Sequence, residues 1–237
     1  MPSPLLVANL GLQSYSDVLA LQREAAHARI VGALDEDLLL LVEHPPVITL
    51  GRSSKTGHLL ASPDYLSQRG VELYEVERGG DVTFHGPGQL VGYPILDLKR
   101  HKRDLHWYLR QVEELLIRAL ESYGLQCRRE ASYTGVWIDD RKIASIGVHA
   151  RDWVTWHGFA LNVSTDLRFF ELIVPCGIQS VRMTSLRDEL SAVSPSLADV
   201  ADRVTSSAGD VFGLVPRTVT ASELTALCSV PALQAQR

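Results

Sequence analysis

The chain is expected to fold as an α+β domain, a mixed β-sheet with flanking helices. Short apolar and β-branched runs stand before and between two sizeable helical segments. Several of these runs are joined by short polar turns, as in hairpins, and no internal repeat or low-complexity tract breaks the pattern.

Residues 5–10 read as the first strand. Ser14–Tyr15–Ser16–Asp17 then reads as a capping box that opens a helix running to about residue 31. An apolar β run over 38–43 ends at His44–Pro45–Pro46; 47–50 resumes the extended pattern, and 51–55 is a polar loop. A short helix suits 63–68 and another strand 71–76. A Gly/Pro-rich stretch covers 78–92, and 94–98 is again extended. Asp104 caps the strongest helix, because Leu105, Tyr108, Leu109, Val112, Leu115, Leu116, Ala119 and Leu120 recur at helical spacing as far as Gly124. Residues 134–138 and 143–150 read as strands joined by a tight turn at 139–142, residues 153–163 as a further strand pair, and 166–173 as a short helix. Helices over 196–212 and 221–227 follow, and 230–237 is expected to fray.

Composition narrows the function classes. The net charge of −5 argues against general nucleic-acid binding, which shows a basic excess. The longest apolar stretch, 38–42, falls far short of the roughly 20 residues that span a bilayer. The N-terminal segment lacks a basic region and a long apolar core, so it reads as a strand and not as a signal peptide. Cys127, Cys176 and Cys228 form a sparse, odd set, which suggests reduced thiols in the cytosol. Without a CxxC pair or an HExxH segment, no metal site is expected.

Several segments are candidates for chemistry, and local sequence leaves each with two readings. Cys176, between Pro175 and Gly177, is either a nucleophile held in a turn or a core cysteine. Lys142, at the start of KIASIGV, either turns inward to stabilise a thiolate and accept its proton or is a solvated turn lysine. The glycines of RGGDVTFHGPGQ, residues 78–89, either let the backbone approach a ligand or make tight turns around a short strand. HGFALN, residues 157–162, leaves a groove for an alkyl chain or is a core strand with a satisfied histidine. The basic run Lys99–Arg100–His101–Lys102–Arg103 is a solvated loop or a contact for an acidic protein.

In order, RGGDVTFHGPGQ, GVWI with RKIASIGV, HGFALN and IVPCGI, together with EHPPVITLGR, resemble the lipoyl(octanoyl) transferase family, from about residue 5 to residue 190. The resemblance implies an α+β fold similar to the catalytic domain of biotin and lipoate protein ligases. It implies one catalytic acyltransferase domain over 1–215, with 216–237 as a partly disordered extension. The implied reaction moves octanoyl from acyl carrier protein to a specific lysine of lipoyl domains, in 2-oxoacid dehydrogenase complexes and glycine cleavage H protein. This is the first step of endogenous protein lipoylation, carried out in the cytoplasm without a cofactor. By the same resemblance Cys176 carries the acyl group as a thioester and Lys142 assists it. The acyl-binding positions fall on Arg78, Gly79, Gly80, Asp81, Val82, Thr83, Phe84 and His85; on Ser145, Ile146 and Gly147; and on Gly158, Phe159 and Ala160. Backbone N–H groups near Gly177 or Gly147 are the candidates for stabilising the oxyanion. The rival readings are an ATP-dependent ligase on the same scaffold, a cysteine hydrolase, and a non-catalytic acyl- or lipoyl-domain-binding module.

Overall fold

The computed structural model describes residues 3–177, 181–190 and 195–229, with Cys176 described by its backbone. In chain order the elements are β1 (Pro4–Leu12), α1 (Tyr15–Ile30), β2 (Asp37–Glu43), β3 (Val47–Leu50), α2 (Pro63–Gln68), β4 (Glu72–Glu75), β5 (Val82–His85), β6 (Gln89–Ile95), α3 (Leu105–Glu121), β7 (Gly135–Ile138), β8 (Arg141–Arg151), β9 (Val154–Asn162), β10 (Arg182–Met183), α4 (Leu186–Glu189), α5 (Leu197–Phe212), β11 (Val215–Thr218) and α6 (Ala221–Cys228). Two 3₁₀ turns, Leu167–Leu172 and Pro175–Gly177, lie between β9 and β10. None of the described helices is long and apolar enough to cross a membrane.

Among the described residues the large sheet runs β10-β8-β9-β6-β2-β1-β11, with β7 also pairing with β8. β1 is parallel to β2 and β11, β10 is parallel to β8, and the other pairs are antiparallel. The alternation of side chains along a strand explains how both faces are filled. Leu5, Val7, Leu39 and Leu41 join the core beneath α3 and α5, with Val112, Leu116, Val204 and Phe212. Leu6, Ala8, Leu38, Leu40 and Val42 join the opposite core beneath α1 and α6, with Val18, Ala25 and Leu224. The unbroken apolar run of β2 is thus a strand covered on both sides. A second, three-stranded sheet, β4-β3-β5, has its own small core that includes Ile48, Phe84 and Phe170.

The caps follow the residues. Ser14 Oγ accepts the Asp17 N–H at 3.2 Å, and Asp104 Oδ1 accepts the Trp107 N–H at 3.0 Å. Ser196 with Asp199 and Thr220 with Glu223 form capping boxes on α5 and α6.

Four expectations need revision. Residues 154–162 form a single strand, not a pair, because β9 is long enough to pair with β6 on one side and β8 on the other. β6 starts at Gln89 inside the Gly/Pro-rich stretch, since its glycine, Gly92, faces the Phe159 ring across the ladder. β8 begins at Arg141, so the turn is only Asp139–Asp140, with Asp139 at φ +50°. β11 lies astride the expected boundary at 215/216: it is an exposed edge strand, where Pro216 is tolerated. The expected frayed end, 230–237, lies outside the described residues.

Leu116 on α3 is fully buried against the sheet. Leu116→Ala is expected to lower unfolding free energy by about 2–5 kcal/mol in urea titrations, whereas Val31→Ala, at an exposed helix end, should stay within about 0.5 kcal/mol.

Candidate active site

A cavity of about 470 Å³ opens where the two sheets meet beside the start of α3. Its walls are the loop 78–81 with β5, the middle of β8 at Ser145–Ile146–Gly147, and β9 at Gly158–Phe159–Ala160. Leu105 and Tyr133 stand at its rim, 41% and 45% exposed. Tyr15, His85, Tyr93 and His157 also line it.

Strand alternation sets Lys142. Its neighbour Arg141 faces Glu189, at 2.8 Å, while Lys142 turns into the molecule and is 1% exposed. Its Nζ donates to the Thr134 carbonyl at 3.0 Å and lies 5.4 Å from the centre of the Trp137 ring. Gly135 makes the room: at φ +142°, a Cβ there would fall 2.5 Å from Lys142 Cε. The turn-lysine reading is therefore replaced by a buried lysine on the cavity wall.

The backbone of Cys176 is the middle of the turn Pro175–Gly177. After it the chain returns to the large sheet, where Met183 pairs with Lys142 and the Thr184 N–H donates to the Lys142 carbonyl at 3.0 Å. The same segment therefore carries the cysteine and edges the strand that bears the lysine.

Arg78 shapes the loop it starts. Its guanidinium donates to Thr49 Oγ1 at 2.9 and 3.2 Å, to the Thr49 carbonyl at 2.7 Å and to the Gly79 carbonyl at 3.0 Å. The Gly79 N–H then donates to the Val148 carbonyl at 2.8 Å, and a Cβ on Gly147 would lie 2.8 Å from the Gly79 carbonyl oxygen. Gly80, Asp81, Val82 and Thr83 complete this wall. Phe84 does not line the cavity: it points to the other face of β5, stacked on Phe169 at 4.7 Å. Gly158 is small for a reason the groove reading did not include, since a Cβ there would strike the Gly92 carbonyl at 2.1 Å.

Behind the lining residues His85 and Tyr93 lies a set of buried polar groups. His44 Nε2 and the Tyr93 hydroxyl are 2.8 Å apart, and His85 Nδ1 lies 2.8 Å from Gln89 Oε1. Gln89 donates to Asn162 Oδ1 at 2.9 Å. Burial pushes His44 down to about 4, His85 down to about 3 and Tyr15 up to about 12. His157, at φ +55°, is buried with Nε2 3.8 Å from Glu77 Oε1 and no hydrogen bond to that nitrogen among the described residues. These residues come from distant segments; the EHPP, HGPGQ and HGFALN motifs carry His44, His85, Gln89, His157 and Asn162, whereas Tyr15 and Tyr93 stand outside them. No group of three or more His, Cys, Asp or Glu side chains suited to a metal occurs among the described residues.

Comparison with known proteins agrees with this architecture. The model of the family "Lipoyl protein ligase A/B catalytic domain" matches residues 14–208. An octanoyltransferase of Acidobacterium capsulatum is 50% identical, over 89% of this chain and 89% of that one. One from Nostoc punctiforme is 46% identical over 88% and 89%. The chain belongs to the octanoyltransferases of the lipoyl protein ligase A/B family. Among solved structures, a lipoate-protein ligase A bound with ATP superposes with a TM-score of 0.74 at 17% identity, over 96% of this chain and 93% of that one. The biotin protein ligase of Leishmania major reaches 0.52 at 12% identity, over 95% and 80%. At such identities these structures establish the shared fold.

The buried neutral histidines make stability depend on pH. An unfolded histidine takes up its proton near pH 6.5, whereas His44 and His85 stay neutral in the fold down to about 4 and about 3. Their contribution is therefore complete above pH 6.5 and is lost as pH falls below it, by roughly 1.4 kcal/mol per pH unit for each histidine. Urea titrations at pH 7 and pH 5 should show this loss, and His85→Gln should reduce it by about 1–2 kcal/mol.

Proposed function

We propose that this chain transfers octanoyl from acyl carrier protein to a specific lysine of lipoyl domains, through a thioester on Cys176. The observation that carries this reading is Lys142: a lysine with almost no solvent contact, on the wall of an acyl-sized cavity, on the strand to which the cysteine segment returns. The cavity then holds the acyl chain. Burying about six methylenes at roughly 0.8 kcal/mol each contributes about 5 kcal/mol. Exposed Leu105 and Tyr133 at the rim suit the approach of a carrier-bound acyl group.

The donor is a thioester, so attack by another thiol is nearly isoenergetic. Attack by an amine then gives an amide and runs downhill, and a covalent intermediate divides the transfer into two manageable steps. In the first step neutral Lys142 accepts the Cys176 proton, the thiolate attacks the octanoyl carbonyl, and the carrier thiolate leaves with that proton. In the second the acceptor lysine, as a neutral amine, attacks the Cys176 thioester. Its proton passes through Lys142 to the departing Cys176 sulfur. The Gly177 N–H already donates to the Val174 carbonyl at 3.0 Å, and Gly147 sits opposite Gly158 in the β8–β9 ladder, so neither N–H is assigned to the oxyanion.

Burial pushes the Cys127 thiol up to about 12 and the Cys228 thiol to about 11, so neither is suited to act as the nucleophile. β11 pairs with β1 and α6 packs on α1, which supports reading the chain through Cys228 as one unit. Acceptors are the lipoyl domains of 2-oxoacid dehydrogenase complexes and glycine cleavage H protein. The reaction opens endogenous lipoylation in the cytoplasm, where free thiols such as Cys127 and Cys228 persist.

Incubated with octanoyl-acyl carrier protein and no ATP, the wild type should show one octanoyl adduct by intact mass, mapped to Cys176, and Cys176→Ser none. An adduct mapping to Cys127 or Cys228 overturns the assignment, and a strict ATP requirement for transfer favours the ligase reading. Lys142→Met, which keeps an apolar stem without the amine, should slow transfer by about 10²–10⁴-fold in stopped assays at pH 7.

A further inference from the structure

The turn that carries Cys176 rests on His58 and on Asp81 of the cavity wall. Asp81, at the start of β5, accepts the Val82 N–H through Oδ1 at 2.7 Å. Its Oδ2 lies 2.6 Å from His58 Nδ1. Both side chains are largely shielded, 8% and 20% exposed. Gly177 lies directly on this pair: at φ +70°, a Cβ there would fall 2.7 Å from Asp81 Oδ2 and 3.3 Å from His58 Cε1.

His58 also acts through its backbone. Its carbonyl accepts the Val174 N–H at 2.8 Å, and the Leu60 N–H donates to the Leu172 carbonyl at 2.9 Å. One residue therefore holds the chain two positions before Cys176 by its carbonyl and meets the position just after it with its ring. A three-residue turn has few internal bonds with which to fix itself, so its orientation has to come from such outside contacts.

We propose that His58, held by Asp81, is a positioning residue for the acyl-carrying turn: the pair sets where residue 176 stands. This rests on the reading of Cys176 as the nucleophile. His58 does not line the cavity and works through the turn, so its removal should alter the rate of thiol attack and leave acyl-donor binding in the cavity unchanged.

The test compares His58→Ala, His58→Asn and Asp81→Ala with the wild type. His58→Asn keeps a side-chain N–H close to the position of Nδ1. Two quantities are read: peptide-mapped alkylation of Cys176 by iodoacetamide at pH 7, and single-turnover acylation by octanoyl-acyl carrier protein. His58→Ala should slow both by about 10- to 100-fold, as expected for a nucleophile displaced by about 1 Å. The donor concentration for half-maximal rate should stay within about twofold of the wild-type value, as expected where ground-state binding is unchanged. His58→Asn should recover most of the loss. If His58→Ala does not fold, Asp81→Ala reads the same interaction from its other side and should slow alkylation likewise. Wild-type alkylation rates in His58→Ala or Asp81→Ala, or a loss confined to donor affinity, overturn the proposal. Failure of the wild type to acylate at Cys176 would instead refute the thioester reading, and the alkylation comparison would still decide the role of His58.

Discussion

The site depends on a single backbone hydrogen bond between two sheets, from the Gly79 N–H to the Val148 carbonyl. Gly79 belongs to the loop that leads into the small sheet, and Val148 lies on β8 of the large one. Arg78 braces this join from below by filling the acceptors of Thr49 on β3. The bond can form only because Gly147 presents no side chain to the Gly79 carbonyl. This bond and the Arg78 contacts fix the loop against β8 and so shape one wall of the cavity.

Lys142 and the turn of Cys176 are held by different sheets. Lys142 belongs to the large sheet, and its burial is offset by the Thr134 carbonyl and the Trp137 ring, with Gly135 clearing its path. The turn of Cys176 is tied to the small-sheet side, to His58 and to Asp81 at the start of β5. The strand β10 then carries the chain back beside Lys142. Any shift between the sheets would change the distance between these partners, which explains why so many glycines and buried hydrogen bonds are concentrated at the seam.

The polar groups behind the cavity wall have a different character. His44 pairs with Tyr93, and His85 with Gln89, which in turn bonds Asn162; burial favours the neutral form of both histidines. Paired polar groups of this kind hold His85 and Tyr93, which line the cavity, in fixed orientations.

The amino-acid sequence determined much of this unaided. The caps at Ser14 and Asp104 and the apolar spacing of α3 marked the helices, because these are local hydrogen bonds and local periodicities. The ordered motifs marked the loop 78–85, the stretches at 145–147 and 158–160, Lys142 and Cys176 as belonging to one family pattern. Only the tertiary structure decided what each residue faces. It turned Lys142 inward and Phe84 away from the cavity, joined β9 into one strand, brought β11 to the edge of β1, and placed His58 and Asp81 under the turn of Cys176. Each of these depends on register between strands far apart in the chain, and a one-residue change of register moves a side chain to the opposite face without altering the composition or periodicity of its own segment.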